Sequence, residues 1–517
     1  MSARPNILVL MYDQIAPRAL GCYGNPVTHA PTIDRLSAEG VTFDAAYTNS
    51  PLCTPARYCF MSGQLPSATR GYDNAAYLAS VIPTFAHYLR AGGYRTILSG
   101  KMHFVGADQL HGFEERRTTD IYPADFGWTP DWRAPSERVD WWYHNMDSVV
   151  GAGVAEVTNQ LLFDDEVGQN ARRALHDVAR SDDERPWMIV ASFTHPHDPY
   201  VTRRQYWDLY QDKDIPLPVV KADQVEADPH TLRLREACAM EGVEITDDHI
   251  RSARRAYYGN ISYVDDWSTI LLNALSDLQL AEDTIVVVLA DHGDMLGERG
   301  LWYKMNFFED STRIPLIVHN PKRFRPGRVS EPVSLVDVLP SLLELTGTDT
   351  EVADPLAGRS FAPLLTGEVA RDASADSSAQ QASGDRYEVI GEYMAEGSCA
   401  PIVMIRRGRW KFVHCPADPD QLYDLAEDPL ELDNLAGRDA HAGTVARFRA
   451  EVAGRWDLDR LTADILTDQA RRRVVSGANR VGKFTPWDYR PLREMDQEYM
   501  RNHLDLNEVE RLARWPR

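Results

Sequence analysis

The sequence predicts an α/β protein with one large domain and a smaller C-terminal one, and three observations carry this. Apolar runs ending in charged residues alternate with helical patterns through most of the chain, as in βαβ units. The run Thr284 to Ala290 is apolar almost throughout, the mark of a strand in a sheet covered on both faces. Beyond a stretch rich in Ala, Ser, Asp and Gln, from Glu368 to Asp385, short strand-like runs follow one another, as in a separate antiparallel sheet. A chain of 517 residues leaves room for a large core and more than one domain.

Asn6 to Met11 reads as a first buried strand, with Asp13 and Gln14 at its end. Pro31 and Gly40 bracket a short helix, and Val41 to Tyr47 is a second extended run. Then comes Ser50-Pro51-Leu52-Cys53-Thr54-Pro55-Ala56-Arg57. Proline is tolerated in a first helical turn, so Pro55 predicts a helix opening here, with Cys53 at its positive end and Arg57 one turn on. That is a site for an anion, unless Cys53 is a buried small hydrophobe and Arg57 a surface charge. A helix from Pro83 to Ala91 closes at Gly92-Gly93, and a strand from Tyr94 to Leu98 delivers Lys101 and His103. Val105 to Gln160 is irregular and holds Trp128, Trp132, Trp141 and Trp142. Loops of that length are functional or disordered, and the aromatics favour function.

A helical pattern from Leu161 to Arg180 leads into the strand Trp187 to Phe193, which ends at His195-Pro196-His197. An acidic insertion covers Asp212 to Asp248, and an amphipathic helix runs from Ile250 to Leu278. The Thr284 to Ala290 strand then delivers Asp291 and His292, and a strand Ile314 to Val318 and a helix Val336 to Leu345 follow. The expected division is a domain at 1–370, a mobile linker at 371–385, an antiparallel-sheet subdomain at 386–470 and a tail at 471–517. Tyr387 to Tyr393, Ile402 to Arg406 and Trp410 to His414 supply the second sheet, with a turn at Arg407-Gly408 and a helix at Thr444 to Arg455. The tail mixes aromatics with both charges, ends in a helix, and suits packing on its own domain or on a partner subunit.

A formal charge of -22 argues against a nucleic-acid or anionic-membrane surface, which needs basic stripes. The six cysteines (Cys22, Cys53, Cys59, Cys238, Cys399, Cys415) show no paired spacing, so neither a disulfide framework nor a zinc ribbon is expected. The apolar run Ile7 to Met11 is too short for a signal-peptide core, and no run approaches the roughly 18 residues a membrane span needs. A soluble, cytoplasmic protein is the expectation.

The pattern C-x-P-x-R at Cys53, Pro55 and Arg57, followed by Ser62-Gly63, resembles the signature of type I sulfatases. The resemblance implies an alkaline-phosphatase-like fold: a mixed sheet with helices on both faces, and a smaller α+β C-terminal domain with an antiparallel sheet. It also implies that a formylglycine-generating enzyme oxidises Cys53 to formylglycine, whose hydrated aldehyde supplies a metal-bound nucleophile. A sulfuryl ester carries charge that a divalent cation on hard ligands neutralises during attack. Asp13-Gln14 and Asp291-His292, with residue 53, are the implied ligands. The commoner family pattern has two aspartates at the first place and aspartate with asparagine at the second. Asp-Gln and Asp-His instead resemble the branch holding choline sulfatases and phosphonate monoester hydrolases. Calcium is the expected ion, with manganese or magnesium as alternatives. Each aspartate taken singly also reads as a helix cap.

Gly100-Lys101-Met102-His103 matches the family's G-K-x-H, which implies that Lys101 binds sulfate and the formylglycine hydroxyl and that His103 is the base when the intermediate breaks down. Pro196-His197-Asp198-Pro199 matches P-H-x-P, which implies His197 as the acid for the leaving alkoxide, with His195 as the stand-in. Lys304 matches the lysine on sulfate and leaving oxygen, and Arg57 the arginine that holds formylglycine and a metal carboxylate. Tyr12, before Asp13, stands where smaller residues are common and is expected to narrow the site.

The segments Asp108 to Trp132 and Gly293 to Glu309, and the tail sequence YMRNHLDLNE, are similar to the choline-sulfatase branch. A quaternary ammonium donates no hydrogen bond and is held by aromatic faces beside a carboxylate. Trp128, Asn74 and, from the tail, Tyr499 are the implied substrate contacts, the tail acting across a homo-oligomer interface in a dimer or tetramer. Trp128 alone also reads as ordinary loop packing. Two rival functions stay open: a phosphonate monoester or phosphodiester hydrolase with the same nucleophile, and a non-catalytic quaternary-ammonium-binding protein.

Overall fold

A computed structural model describes residues 4–138, 144–367, 387–484, 486–491 and 505–514. Trp141, Trp142, Tyr499 and the expected linker 371–385 lie outside the described residues.

Six buried residues, Ile7 to Tyr12, behind the half-exposed Asn6 make Asn6–Tyr12 the centre of an eight-stranded sheet. Its order is Gly327–Val329, Val41–Phe43, Leu316–His319, Thr284–Ala290, Asn6–Tyr12, Trp187–Ser192, Arg95–Gly100 and Glu115–Arg116. Leu316–His319 runs antiparallel to both of its neighbours, and the other pairs are parallel, so the sheet is mixed as expected. Every residue of Thr284–Ala290 and Trp187–Ser192 is buried, as a sheet sandwiched between helix layers requires. Pro31–Glu39, Asn159–Arg180 and Asp247–Asp277 pack together over one part, while Cys53–Ser62, Phe85–Ala91 and Val338–Thr346 form a second group.

The central register sets the level at which the chain leaves the sheet. Tyr12 pairs with Ala290, Met11 with Ser192, and Ser192 with Gly100. The residues that follow these strand ends, Asp13, Asp291, Phe193 and Lys101, therefore emerge in one row. Gly100 is required at its corner: its φ is +113°, and a Cβ there would lie 2.0 Å from the Ser192 carbonyl oxygen.

The second sheet has four antiparallel strands, Glu388–Tyr393, Ile402–Arg407, Trp410–Cys415 and Asp418–Asp424, covered by the helix Ala442–Arg455. The fourth strand and the long helix Leu458–Asn479 go beyond the expectation. Asp418 and Pro419 disguise the strand as a turn, and the helix buries little besides Leu461, Ile465, Gln469 and Arg472, so its apolar stripe is thin. The extended run Val41 to Tyr47 breaks at Asp44 into two short strands, and the acidic insertion contains a helix, Pro229–Ala237, capped by Asp228. Tyr12 does not narrow the site: its hydroxyl meets Ser268 Oγ at 2.6 Å and its ring stacks on Phe193, inside the core.

Candidate active site

Cys53 is the first residue of the helix Cys53–Ser62, two positions ahead of Pro55, and all ten residues of that helix are buried. Leu52 offers no side-chain cap, so the orphan N–H of Thr54 is met from outside by Asn74 Oδ1 at 3.0 Å. Asn74 thus fixes the helix end that presents Cys53, whose Sγ lies 3.3 Å from His292 Nε2 and 3.8 Å from Asp13 Oδ1. The ligand atoms of Asp13, Cys53, Asp291 and His292 all fall within 4.8 Å of one another, and all four residues are buried.

Arg57 ties this cluster together from one turn up the helix. Its Nε donates to Asp291 Oδ2 at 2.9 Å, Nη2 to Asp13 Oδ2 at 3.0 Å, and Nη1 to the Lys101 carbonyl at 2.6 Å and Ser192 Oγ at 2.9 Å. Lys101 Nζ also pairs with Asp13. Burial alone would raise the Asp13 carboxyl, but Lys101, His197 and Arg57 hold it well below the usual range. Burial, then Asp13, push the Cys53 thiol up to about 11. Burial brings His292 down to about 4, so it is neutral. Its Nδ1 lies 3.0 Å from the Gly293 carbonyl oxygen, which places the proton on Nδ1 and leaves the Nε2 lone pair facing the cluster. Two carboxylates and a neutral imidazole at this spacing fit a divalent metal ion.

Gln14 has a left-handed backbone, φ 68°, and its N–H donates to Asp291 Oδ1 at 3.1 Å. Its side chain spans from Lys304, which donates to Oε1, to Asp294 Oδ2 at 2.7 Å and Asp198 Oδ1 at 3.4 Å, both reached by Nε2. Lys304 spends its other two donors on His197 Nε2 at 2.9 Å and His144 Nε2 at 3.0 Å. His197 Nδ1 donates to the Asp198 carbonyl at 2.6 Å, and burial first, then Lys304, keeps the ring well below its ordinary pKa. His195 is not in this group: its Nδ1 meets Asp164 Oδ2 at 2.7 Å, and that carboxylate also takes the N–H groups of Thr194 and His195, so the pair braces the loop.

The Tyr122 ring is a hub that sequence reasoning missed. Lys101 Nζ lies 4.2 Å from its centroid, the His103, His197 and Trp128 rings stand 5.2, 5.8 and 5.3 Å away, and its hydroxyl is 3.4 Å from His197 Nδ1. Trp128 is edge-on to His103 at 5.9 Å. Burial, reinforced by Lys101, pushes His103 down to about 3, and neither ring nitrogen has a hydrogen-bond partner among the described residues.

Glu396 was also missed. It is buried with neither carboxylate oxygen hydrogen-bonded among the described residues, and burial, then Asp73, push it up to about 8. It lines a cavity of about 120 Å³ with Trp132, Arg138 and Ser398, and lies close enough to Lys304 to feel its charge. Tyr122 and Glu396 sit in irregular segments without periodicity, where only a spatial neighbourhood distinguishes a working side chain from a surface one. From the tail, Trp487 packs on Phe126 at 5.3 Å and Tyr489 covers Arg116 at 5.3 Å, so part of the tail lies against the irregular stretch that holds Tyr122 and Trp128.

The family model described as Sulfatase matches residues 5–348, and one described as Choline sulfatase enzyme C terminal matches 463–515. The choline-sulfatase of Rhizobium meliloti (strain 1021) is 48% identical over 525 residues, covering 100% of this chain and 99% of that protein. The uncharacterized sulfatase YidJ of Escherichia coli (strain K12) is 30% identical, covering 84% of this chain and 83% of its own. Among solved structures, the phosphonate monoester hydrolase of Agrobacterium radiobacter superposes with a TM-score of 0.67 at 22% identity, covering 90% of this chain and 96% of that one, a likeness of fold.

Proposed function

The chain belongs to the sulfatase family, and from that premise we propose the working of its site as a sulfuric ester hydrolase that releases choline and sulfate from choline-O-sulfate. The observation that carries the reading is the buried quartet of Asp13, Cys53, Asp291 and His292 locked by Arg57. A thiol pushed up to about 11 is protonated at neutral pH and is no activated nucleophile, which supports Cys53 as a precursor. Matured to formylglycine, residue 53 supplies a hydrated aldehyde whose hydroxyl attacks sulfur, and the aldehyde re-forms as sulfate leaves. Asp13, Asp291, His292 and residue 53, with Gln14 beside them, would hold a divalent ion, which would offset the charge of the sulfate oxygens; calcium is the ion proposed, with manganese or magnesium as alternatives.

The protein's own groups do the rest. Arg57 keeps both aspartates aimed at one point, and Lys101 and Lys304 meet the sulfate from two sides. Lys304 donates into His197 Nε2, so this pair carries the proton for the leaving choline oxygen. His103, held neutral by burial, takes the proton when the sulfated intermediate breaks down. For the ammonium, Trp128 and Tyr122 supply aromatic faces and Glu396 an unpaired carboxylate. Asn74 is proposed as a substrate contact that also caps the Cys53 helix, and Tyr499 as a tail contact. The proposed division keeps catalysis in 1–370 and recognition by the tail in 471–517.

Apolar exposure at Val474, Val481 and Phe484, in the first part of the tail, supports a homo-oligomer, dimer or tetramer, and scattering-based mass in solution tests it. All six cysteines are free, which suits a reducing, cytoplasmic setting and maturation there by a formylglycine-generating enzyme. Among the described residues no helix is long and apolar enough to cross a membrane.

The deciding experiment measures kcat/KM for choline-O-sulfate and for a phosphonate monoester on one matured batch, with the residue-53 peptide weighed. A peptide about 18 Da lighter than the cysteine form and a preference of decades for choline-O-sulfate are expected. Equal or reversed preference overturns the choline assignment, and an unmodified Cys53 in active enzyme overturns the nucleophile.

A further inference from the structure

We infer that Asp120 is a positioning residue for His103, acting through the backbone, and this rests on the reading of His103 as the base of the second step. The rings of His292, His197 and His103 are held in different ways. His292 and His197 are each fixed through Nδ1 on a neighbouring carbonyl, of Gly293 and Asp198. The His103 ring has no such anchor among the described residues: both nitrogens are buried without a hydrogen-bond partner there, and the Tyr122 and Trp128 rings stand beside it at 5.2 and 5.9 Å. Its aim is therefore set by its main chain, which sits in the left-handed region at φ 58°.

Asp120 is what holds that main chain. Its Oδ2 accepts from Met102 N at 3.0 Å and His103 N at 2.7 Å, so one oxygen pins two successive N–H groups of the turn. The same oxygen receives Arg116 Nη2 at 3.2 Å. Arg116 is in turn fixed by the Gln109 carbonyl at 3.0 Å and Gln109 Oε1 at 2.6 Å, between the rings of Phe104 and Tyr489 at 5.5 and 5.3 Å. Tyr489, from the tail, helps dry an ion pair whose other end steers the base. The sequence hid this because Asp120 lies in the irregular Val105 to Gln160 stretch.

In the second step the base removes the proton of the remaining hydroxyl on the sulfated residue 53. The electron pair of that O–H bond forms the aldehyde C=O, and the C–O bond to sulfate breaks with its pair leaving on sulfate. The imidazolium then returns its proton to water. A misdirected His103 slows this step without touching attack on sulfur. Because choline has already left, kcat/KM reports only the earlier steps.

The test compares Asp120→Ala, Asp120→Asn and His103→Ala, matured and checked for fold by circular dichroism. Each is mixed with choline-O-sulfate and quenched in acid, and the residue-53 peptide is weighed. Asp120→Ala is expected to lose at least about tenfold in kcat, part of the roughly 10²–10⁴ a placed base contributes, with KM falling in parallel and the sulfated peptide accumulating. Asp120→Asn, which keeps one acceptor oxygen, falls between it and the parent, and carries the test if Asp120→Ala does not fold. Accumulation in His103→Ala but not in either Asp120 variant overturns the positioning role alone. No accumulation in His103→Ala overturns the base assignment, and the Asp120 role with it.

Discussion

Replacing Arg57 with methionine keeps most of the side-chain volume and removes the guanidinium that joins Asp13 to Asp291. With no metal bound, Asp13 keeps Lys101 as a partner while Asp291 loses the guanidinium it pairs with. Breaking a buried charged pair by deleting one partner costs about 3–5 kcal/mol. Unfolding entropy of about 2.1 cal/mol/K per residue gives about 1.1 kcal/mol/K for 517 residues. The expected fall in Tm under chelator is therefore about 3–5 °C. A dication in the cluster neutralises the stranded carboxylates, so the variant gains more from added calcium or manganese than the parent does, and the gap narrows. Thermal scans of both proteins, with chelator and with saturating metal, measure the four midpoints. A chelated gap under about 1 °C, or a gap unchanged by metal, would refute the claim that Arg57 balances the charge of metal-binding carboxylates.

Three further outcomes are expected. Glu396 must be ionised to hold an ammonium, and its carboxyl is pushed up to about 8, so KM for choline-O-sulfate falls as pH rises toward that value. Glu396→Gln abolishes the dependence and raises KM about tenfold, as a pH series of initial rates records; an alkyl sulfate without the ammonium group shows neither effect. His292→Ala weakens metal affinity by more than the about 10–100-fold typical of losing an outer-shell partner, read by titrating metal into chelated protein and following tryptophan fluorescence. Tyr122→Leu removes the ring under Lys101, worth about 0.5–2 kcal/mol, and lowers kcat/KM about 2–30-fold. Tyr122→Phe keeps the ring and most of the rate.

The alternation of apolar strands with helices, the apolar Thr284–Ala290 strand, and the pairs Asp13-Gln14 and Asp291-His292 were legible because each is local: periodicity and strand ends are written in neighbouring residues. So was Cys53 at a helix start, two residues earlier than Pro55 alone suggests. Resemblance extended this to Lys101, His103, His197 and Lys304, and the structure brings these around one cluster. What no local pattern could supply is the row in which they emerge. That depends on which strands pair and in which register, a property of contacts between residues far apart in the chain, such as Gly100 with Ser192 and Tyr12 with Ala290. The same holds for the side chains that act from irregular segments: Tyr122 under Lys101, Asp120 beneath His103, and Glu396 unpaired in its cavity. A carboxylate in a loop is ordinarily solvated. Only tertiary packing removes its water and its partners, and so turns an unremarkable Asp or Glu into a clamp on the backbone or a counter-ion for a cation.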